Sequence, residues 1–349
     1  MTAIVHTADV HLREGAPERL EGLEAVLALA EERDARLVTI GGDLFDRPSD
    51  VEALRPTLRN ELFTDRDVEV VVIPGNHDAE AFRGDTFFGD ACTVVLTTPF
   101  EPLELADIDV RITAVPYTDA DPEALLVALD DREPYDGTEA LLIHCTLDVG
   151  LGFEASGAED ARRYLPVTPA ELGELGFEYV LAGHHHDPRE AQLPSGTFVY
   201  PGTPASTRAS ETGRRRAVCL DLEAGPRFER LSTYHRVRRR FEVLPGAEDD
   251  LLARVEAWTA AAVDEYADAT VAVEGFHELD EAAFNERLRA SAGSADVEDN
   301  TRAVRHLRRS ALFQAFEETL EARSWDDEVA AGVRARVLEA FTNVRGELP

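Results

Sequence analysis

Short apolar runs rich in Val, Ile and Leu recur along the first half of the chain, and each one stops abruptly at polar residues. Uninterrupted runs of this length predict strands that are buried on both faces, as in a parallel sheet covered by helices. Because the loops after parallel strands open at one edge of a sheet, we expect the polar residues to meet there. Five runs end in Asp, Asn or His: residues 3–11, 37–43, 71–78, 140–144 and 179–186.

Between these runs, apolar residues recur at the spacing of a helix that packs on a sheet. Residues 18–33 carry one such stripe, and Val51, Leu54, Leu58 and Leu62 form a second. The simplest interpretation of the second stripe is packing in the core of its own domain.

Two further patterns belong to the same part of the chain. Alternating apolar residues within 91–116 predict strands of a second sheet. Thr168, Pro169 and Glu171 predict a capped helix N-terminus. Before them, the Gly-rich residues 145–163 predict a long loop, which is often functional when it lies beside a site. The alternation of strands and helices predicts an α/β fold.

A change of composition at Pro245 and Gly246 indicates a domain boundary. Beyond it we predict a helix over 249–265, a strand over 270–275, a helix over 280–291, a small polar linker over 292–300, and helices over about 302–323 and 326–344. We expect a main domain over 1–233, a small α/β domain over 234–300, which includes the segment just before Pro245, and a C-terminal helical segment over 301–349.

The polar residues at the five strand ends have the chemistry of a metal site. Carboxylate, carboxamide and imidazole groups suit Mn, Fe or Zn better than Cu(I) or an iron–sulfur cluster. One tetrahedral ion needs about four ligands, so a larger set favours two ions about 3.5–4 Å apart, with Asp43 as the candidate bridging carboxylate. The set comprises Asp9, His11, Asp43, Asn76, His77, His144, His184 and His186.

The motifs D-V-H, G-G-D-L-F-D, G-N-H-D, H-C and G-H-H-H, in this order, resemble those of the calcineurin-like metallophosphoesterases. The resemblance implies an α/β/β/α sandwich of two mixed sheets and two divalent ions, with Mn²⁺ expected. It places Asp9, His11, Asp43 and His186 on the first ion, and Asp43, Asn76, His144 and His184 on the second. It also implies that His77 protonates the leaving oxygen and is oriented by Asp78. We expect His6 to support the site without binding metal.

Later motifs are similar to those of the SbcD-type nuclease branch, which includes the meiotic-recombination-eleven repair nuclease. They are Y-L-P-V at 164–167, Y-P-G-T-P at 200–204 and Ser210-Glu211, followed by a basic strand. This resemblance implies a DNA exonuclease and endonuclease of double-strand-break repair, with a capping, DNA-binding second domain. It further implies a homodimer, formed in part by the second helical stripe, and a coiled-coil ATPase partner of the SbcC type on the C-terminal helices.

The sequence departs from this branch at two positions. Arg13 stands where the family usually has Gly, and Asp46 stands where some members have His. Because of the second departure, the resemblance alone does not carry the exonuclease behaviour of those members over to this chain.

The charge of the chain indicates the environment in which the protein works. The chain has 69 Asp and Glu against 35 basic residues, all of them Arg, and its net charge is −34. We interpret this composition as that of an enzyme from a salt-rich cytoplasm; a generally acidic protein encoded by GC-rich DNA is the alternative. Three cysteines without paired spacing agree with a reducing, cytoplasmic environment. A strongly acidic net charge argues against nucleic-acid binding. In molar salt, however, the Debye length falls to about 3 Å, so local patches of charge, and not the net charge, determine which partners can bind.

One segment reverses the charge. Residues 214–240 contain nine arginines and three acidic residues, a local net charge of +6. We predict DNA-phosphate contacts from two groups of alternate residues that share a strand face. These groups are Arg214 and Arg216, and Arg236, Arg238 and Arg240. A structural set of intramolecular Arg–carboxylate pairs is the alternative.

Three functions remain open at this point. The first is a two-metal phosphodiesterase that cleaves DNA. The second is a general metallophosphoesterase acting on nucleotides or phosphoproteins, whose metal site would be identical. The third is a non-catalytic scaffold that binds DNA ends. The complete set of candidate ligands favours an enzyme over the scaffold.

Overall fold

The computed structural model describes residues 2–82, 88, 93–97, 99–100, 102–148, 164–307, 310–323 and 325–345. The chain divides into two compact units, Met1–His235 and Arg236–Pro349. Most of the loop predicted over 145–163 lies outside the described residues.

The first unit contains fourteen described strands and four α-helices. The strands are β1 (Thr2–Thr7), β2 (Leu37–Ile40), β3 (Glu69–Val72), β4 (Thr93–Val95), β5 (Pro102–Leu105), β6 (Val110–Val115), β7 (Thr138–His144), β8 (Thr146–Leu147), β9 (Pro166–Val167), β10 (Tyr179–Gly183), β11 (Arg189–Gln192), β12 (Thr197–Tyr200), β13 (Arg216–Asp221) and β14 (Gly225–Arg230). The helices are α1 (Pro17–Glu32), α2 (Pro48–Thr57), α3 (Pro122–Asp130) and α4 (Pro169–Glu174). A π-helical turn, Leu58–Leu62, continues α2, and a 3₁₀ turn spans Ala79–Phe82.

Two six-stranded sheets form the framework of this unit. Their strand orders are β14-β13-β1-β2-β3-β4 and β11-β12-β10-β7-β6-β5. Strands β1, β2 and β3 are parallel neighbours in one sheet, and β7 and β10 are parallel neighbours in the other. Of the strands predicted within 91–116, β4 joins the first sheet and β5 and β6 join the second. These pairings bring the carboxyl ends of the central parallel strands of each sheet to one edge of that sheet.

Three apolar clusters hold the layers together. The middle cluster joins the facing sides of the two sheets, with Ile4 and Val71 from one sheet and Leu142 and Leu181 from the other. A second cluster packs the outer face of the first sheet against α1 and α2, and a third packs the second sheet against α3 and α4. The predicted α/β/β/α sandwich of two mixed sheets is confirmed.

Local sequence signals explain two of the helices. Thr168 accepts a hydrogen bond from the backbone N–H of Glu171, and the Glu171 side chain accepts one from Thr168, so the predicted capping box is present. In α2, Val51 is buried, and Leu58 and Leu62 of the following turn are buried in the same cluster. This apolar stripe therefore packs in the core of its own unit. The homodimer stays a prediction.

The described part of the second unit contains a three-stranded sheet and four helices. Its elements are β15 (His235–Val243, which starts at the last residue of the first unit), α5 (Glu248–Ala262), β16 (Ala267–His277), α6 (Glu281–Ala292), β17 (Asp296–Ala303), α7 (Ala311–Glu321) and α8 (Asp327–Arg345). The sheet order is β15-β16-β17, and α5 and α6 pack on one of its faces around Val271, Val273 and Phe284. Phe313 of α7 and Leu338 of α8 form a smaller cluster with Phe276.

Two predictions for this unit are wrong in part. The polar linker predicted over 292–300 overlaps β17, and the helix predicted over 302–323 begins only at Ala311. Strand β17 pairs in parallel with β16, and only Val297 of its alternating side chains joins the apolar cluster. Because so few apolar residues mark the strand, its sequence has the composition of a linker.

None of the helices within the described ranges has the length and apolarity that a bilayer crossing requires.

We predict that the fold depends on salt. The net charge of −34 is spread over 349 residues, and like charges repel one another until counter-ions screen them. The thermal midpoint should therefore rise steeply between about 0.1 M and about 3 M KCl, where the Debye length falls from about 10 Å to below about 3 Å. Calorimetry across this range tests the prediction, and a flat profile would remove the interpretation as a halophilic protein.

Candidate metal centre

The residues predicted as metal ligands come together where five strands end. Asp9 and His11 follow β1, Asp43 follows β2, and Asn76 follows β3. In the second sheet, His144 ends β7, and His184 and His186 follow β10. Five of these seven side chains are fully buried, at most 4% exposed: Asp9, His11, Asp43, His144 and His186. Five separate segments thus build one polar site inside the first unit.

The candidate ligand atoms form overlapping groups around Asp43. Asp9, His11 and His186 have ligand atoms within 4.8 Å of one another, as do Asp9, Asp43 and His144. The Asp43 Oδ2 atom lies 3.6 Å from His144 Nε2 and 3.9 Å from His11 Nε2. Asp43 therefore lies between the two predicted ligand sets, which is the position that a bridging carboxylate needs.

Asn76 joins the second group through its side-chain oxygen. This atom lies 3.0 Å from His144 Nε2 and 3.2 Å from His184 Nδ1. Three candidate ligand atoms from three different strand ends thus converge in one place. The Asn76 side chain would present its carbonyl oxygen to an ion bound there.

The donor set fits a pair of divalent cations. His11 Nε2 and His186 Nε2 face each other at 3.0 Å, beside the buried carboxylates of Asp9 and Asp43. Burial raises the pKa of Asp9 and lowers the pKa of His11. Without a cation, the lone pairs and negative charge of these buried side chains would lie close together with little solvation, which is unfavourable. Bound cations would neutralise the carboxylates and take up the ring lone pairs.

The backbone at the site is strained in a consistent way. Four of the candidate ligands have positive φ angles: Asp9 at 54°, His11 at 50°, Asp43 at 52° and His184 at 103°. Non-glycine residues adopt this region at a cost of order 1 kcal/mol or more each, and such residues cluster at functional sites. The strained backbone at these four residues therefore agrees with a functional site at the strand ends.

Two glycines make room for the ligands. A Cβ atom on Gly42 would collide with the His144 ring, and one on Gly75 would collide with the Asp43 carboxylate. Gly42 in G-G-D and Gly75 in G-N-H-D are therefore required sterically by the ligand side chains beside them.

His77 lies at the edge of the donor groups and is only half-buried. Its Nδ1–H donates to the carbonyl oxygen of Asp46 at 3.1 Å, which leaves Nε2 as the atom for proton transfer. Its backbone N–H donates to Asp43 Oδ1 at 2.8 Å, so the ring is fixed relative to the shared carboxylate. Ligand atoms of His77, His11 and Asp43 also lie within 4.8 Å of one another.

The described hydrogen bonds of the Asp78 carboxylate are with backbone groups of two loops and not with the His77 ring. Its two carboxylate oxygens accept backbone N–H groups of Gly75, at 2.7 Å, and of Phe45, at 3.0 Å. Burial, and then the nearby charge of Asp43, raise the pKa of Asp78 to about 8. Asp78 thus ties the loop after β3 to the loop after β2, while the Asp46 carbonyl oxygen accepts a hydrogen bond from the His77 ring.

Sequence reasoning missed several residues that position ligands. Glu211 Oε1 lies 2.6 Å from His186 Nδ1, which keeps a proton on that nitrogen and leaves Nε2 for an ion. Burial alone would raise the pKa of Glu211, but His186 lowers it to about 2. The motif Ser210-Glu211 was visible in the sequence, yet no strand-end signal assigned it a role.

Two buried arginines support ligand backbones in a similar way. Arg19 donates to the carbonyl oxygen of His11 at 2.6 Å and lies 3.2 Å from Asp46 Oδ1. Arg215 donates to the carbonyl oxygen of His186 at 2.6 Å. Arg19 stands in the first turn of α1, where helical spacing identified only the apolar residues.

His6 bridges the two sheets beneath the site. Its Nδ1 lies 2.9 Å from Thr39 Oγ1 on β2, and its Nε2 lies 3.1 Å from the carbonyl oxygen of Ala182 on β10. Burial lowers its pKa to about 4. The expected supporting role takes the form of a neutral link between the layers that carry the ligands.

The predicted DNA-binding arginines have different surroundings. Arg236, Arg238 and Arg240 lie in the second unit, and each is ion-paired there: with Asp268 at 3.6 Å, with Glu298 at 2.5 Å and with Glu274 at 3.4 Å, respectively. These contacts favour the alternative of intramolecular Arg–carboxylate pairs for this strand. Arg214 and Arg216 lie in the first unit, near the segment that carries His186.

The fold and the clustered Asp, His and Asn side chains at the ends of parallel strands are typical of a metal-dependent phosphoesterase. Residues 2–188 match the family model described as calcineurin-like phosphoesterase. The chain belongs to this family. No curated protein sequence gives a significant match.

Solved structures give distant similarities. Protein TT1561 of Thermus thermophilus is 18% identical, with 66% of this chain and 99% of that chain covered and a TM-score of 0.41. GAP50, described as the anchor in the inner membrane complex of Plasmodium, is 8% identical, with 65% and 83% covered and a TM-score of 0.42. Family membership therefore rests on the family model and the site, not on these two structures.

Proposed function

We propose that this phosphoesterase is a two-metal phosphodiesterase that hydrolyses DNA, with Mn²⁺ as its ion. The observation that carries the two-metal part is the position of Asp43, between a His11–His186 group and a His144–Asn76 group. Asp9, His11, Asp43 and His186 would hold one ion, and Asp43, Asn76, His144 and His184 the other. Bound ions would polarise the phosphoryl oxygens and lower the pKa of the attacking water.

The protein side chains have separate tasks in this reaction. His77 presents Nε2 at the half-buried edge of the site, since Nδ1 is engaged by Asp46, and it would donate a proton to the departing sugar oxygen. Glu211 and Arg215 hold His186, and Arg19 holds the backbone of His11. Asp78 keeps the two ligand loops in register with each other. Most of the site is thus fixed before substrate arrives, which favours catalysis by positioning.

The choice of DNA as substrate rests on the basic segment in an otherwise acidic chain. Residues 214–240 contain nine arginines and three acidic residues. Contacts with DNA phosphates require such a local excess of positive charge. A second candidate, a phosphoesterase acting on nucleotides or phosphoproteins, is favoured by one observation. The arginines at 236, 238 and 240 already have carboxylate partners, so that strand offers little free positive charge.

One experiment separates these candidates. Purified protein with Mn²⁺ in molar KCl is offered linear duplex DNA, single-stranded DNA, a chromogenic phosphodiester and nucleoside monophosphates, with the Asp43→Asn protein as the control for contaminating nucleases. The DNA proposal expects cleavage of at least one DNA substrate by the unaltered protein alone. Hydrolysis confined to the monophosphates would replace DNA by nucleotides as the substrate class.

A further inference from the structure

A cavity of about 460 Å³ in the first unit collects positive charge beside the metal centre. Its wall includes Asp187, which directly follows His186, and four arginines: Arg214, Arg215, Arg216 and Arg230. The lining thus contains four arginines and one carboxylate, in a chain whose net charge is −34. This local positive charge is opposite in sign to the net charge of the whole chain.

Two of these arginines oppose each other directly. Arg216 on β13 and Arg230 on β14 are cross-strand partners in an antiparallel pair. Like charges in directly opposed positions destabilise a sheet. Within the part of the chain that the structure describes, neither guanidinium has an ion pair or hydrogen bond. An arrangement that costs stability and has no internal partner indicates a ligand from outside the chain.

Two other arginines that contact β13 or β14 residues have acidic partners. Arg227, also on β14, lies 4.0 Å from Asp221, and Arg33 lies 3.5 Å from Glu229. The chain contains 69 acidic residues, so pairing is the ordinary outcome for an arginine here. Arg216 and Arg230 are both exceptions to this pairing, and both line the same cavity.

The cavity is tied to the metal centre through its own wall. Arg215 is buried, and it donates to the carbonyl oxygen of His186 at 2.6 Å and to that of Thr203 at 3.0 Å. Asp187, the next residue after the ligand His186, lines the cavity. A ligand in the cavity would therefore contact the segment that carries a metal ligand, without occupying the metal centre.

We infer that this cavity binds a phosphate group through Arg216 and Arg230. The planar forks of two arginines match the oxygens of a phosphate and neutralise its charge. In the proposed reaction, the bound group is a non-reacting phosphate of the DNA strand, which positions the strand across the metal centre. This second statement rests on the proposed DNA activity, whereas phosphate binding itself does not.

Phosphate binding is tested first, with inorganic phosphate as the probe. Thermal midpoints of the metal-loaded protein and of an Arg216→Gln/Arg230→Gln variant are measured in chloride, acetate and phosphate at equal ionic strength. In chloride the variant should melt no lower than the unaltered protein, because a like-charge pair has been removed. Phosphate should raise the midpoint of the unaltered protein more than that of the variant, and acetate should not. Equal phosphate shifts in both proteins would overturn the phosphate site.

DNA positioning is tested on the same variant. The Kd for duplex DNA should rise roughly tenfold, and the slope of log affinity against log salt should shrink by roughly 1.8, or about 0.9 for each lost contact. The rate on a small chromogenic diester should stay unchanged, because that substrate does not reach the cavity. An Arg33→Gln/Arg227→Gln variant removes the same number of charges, one from β14 and one from the end of α1 beside it, and should bind DNA like the unaltered protein.

The outcomes distinguish the two levels of inference. A phosphate-dependent shift without any DNA cleavage by the unaltered protein would support the cavity and remove the proposed DNA activity. Normal DNA binding by the Arg216→Gln/Arg230→Gln variant, in a protein that cleaves DNA, would remove the positioning role and keep the activity. Loss of affinity in an Arg236→Gln/Arg238→Gln/Arg240→Gln variant alone would also overturn the positioning role, because the strand would then run over the second unit.

Discussion

Replacement of Asp43 by Ala should remove both metal ions and abolish phosphoester hydrolysis. Asp43 Oδ2 lies within 3.9 Å of ring nitrogens from both candidate ligand groups, so its loss weakens both groups at once. Metal ions contribute several kcal/mol to the stabilisation of charge in such reactions, so kcat/KM should fall by at least about a thousandfold. Elemental analysis after dialysis and hydrolysis of a chromogenic diester measure the two effects.

An Asp50→Asn variant is the matched control for this experiment. Asp50 is a buried carboxylate of the same unit that accepts the backbone N–H of Glu14 at 3.2 Å and belongs to no candidate ligand group. Its replacement should leave metal content and kcat/KM close to those of the unaltered protein. An Asp43→Ala protein that kept two tightly bound ions would exclude the bridging role.

Replacement of His77 by Asn should leave the metal content intact and reduce turnover strongly on DNA. General acid catalysis contributes typically about 10²–10⁴-fold, and this range sets the expected loss in kcat. The loss should be much smaller on a nitrophenyl diester, because nitrophenolate leaves without a proton. The comparison of the two substrates isolates the proton transfer from any change in metal binding.

His185→Asn provides the control on the same rim. The His185 ring lies 5.5 Å from that of Tyr200, and Nδ1 accepts the backbone N–H of Asp187, so it is held without belonging to the candidate ligand groups. Turnover of its variant should be nearly normal on both substrates. An equal loss on DNA and on the nitrophenyl diester for His77→Asn would argue against the acid role.

The strand ends were predictable because two kinds of signal coincided in the sequence. Apolar runs such as residues 37–43 and 71–78 marked buried strands, and their polar terminal residues had the chemistry of metal ligands. Because parallel strands share one edge of a sheet, the sequence predicts that these residues lie together. Asp43 between His11 and His144 is the geometric outcome of that rule.

Other features were hidden for physical reasons. Strand β17 has the sequence D-V-E-D-N-T-R-A, and one of its faces meets solvent, so apolar periodicity could not reveal it. The positive φ angles of Asp9 and His11 depend on how distant loops pack, and no local pattern encodes them. The ion pairs of Arg236 and Arg238 join residues that are far apart in sequence, so the spacing of the arginines alone could not separate DNA contacts from internal pairs.

The left-handed turns at the candidate ligands have a consequence for how this site persists over evolutionary time. Asp9, His11 and Asp43 each hold a conformation that glycine would adopt without strain. Substitutions that relieve such strain commonly stabilise a protein while they reduce its activity. Random drift in a protein that no longer catalysed a reaction would therefore tend to erase these residues first. An enzyme that needs these ligands for its chemistry would retain them at this cost in stability, which favours an enzyme over a scaffold that only binds DNA ends.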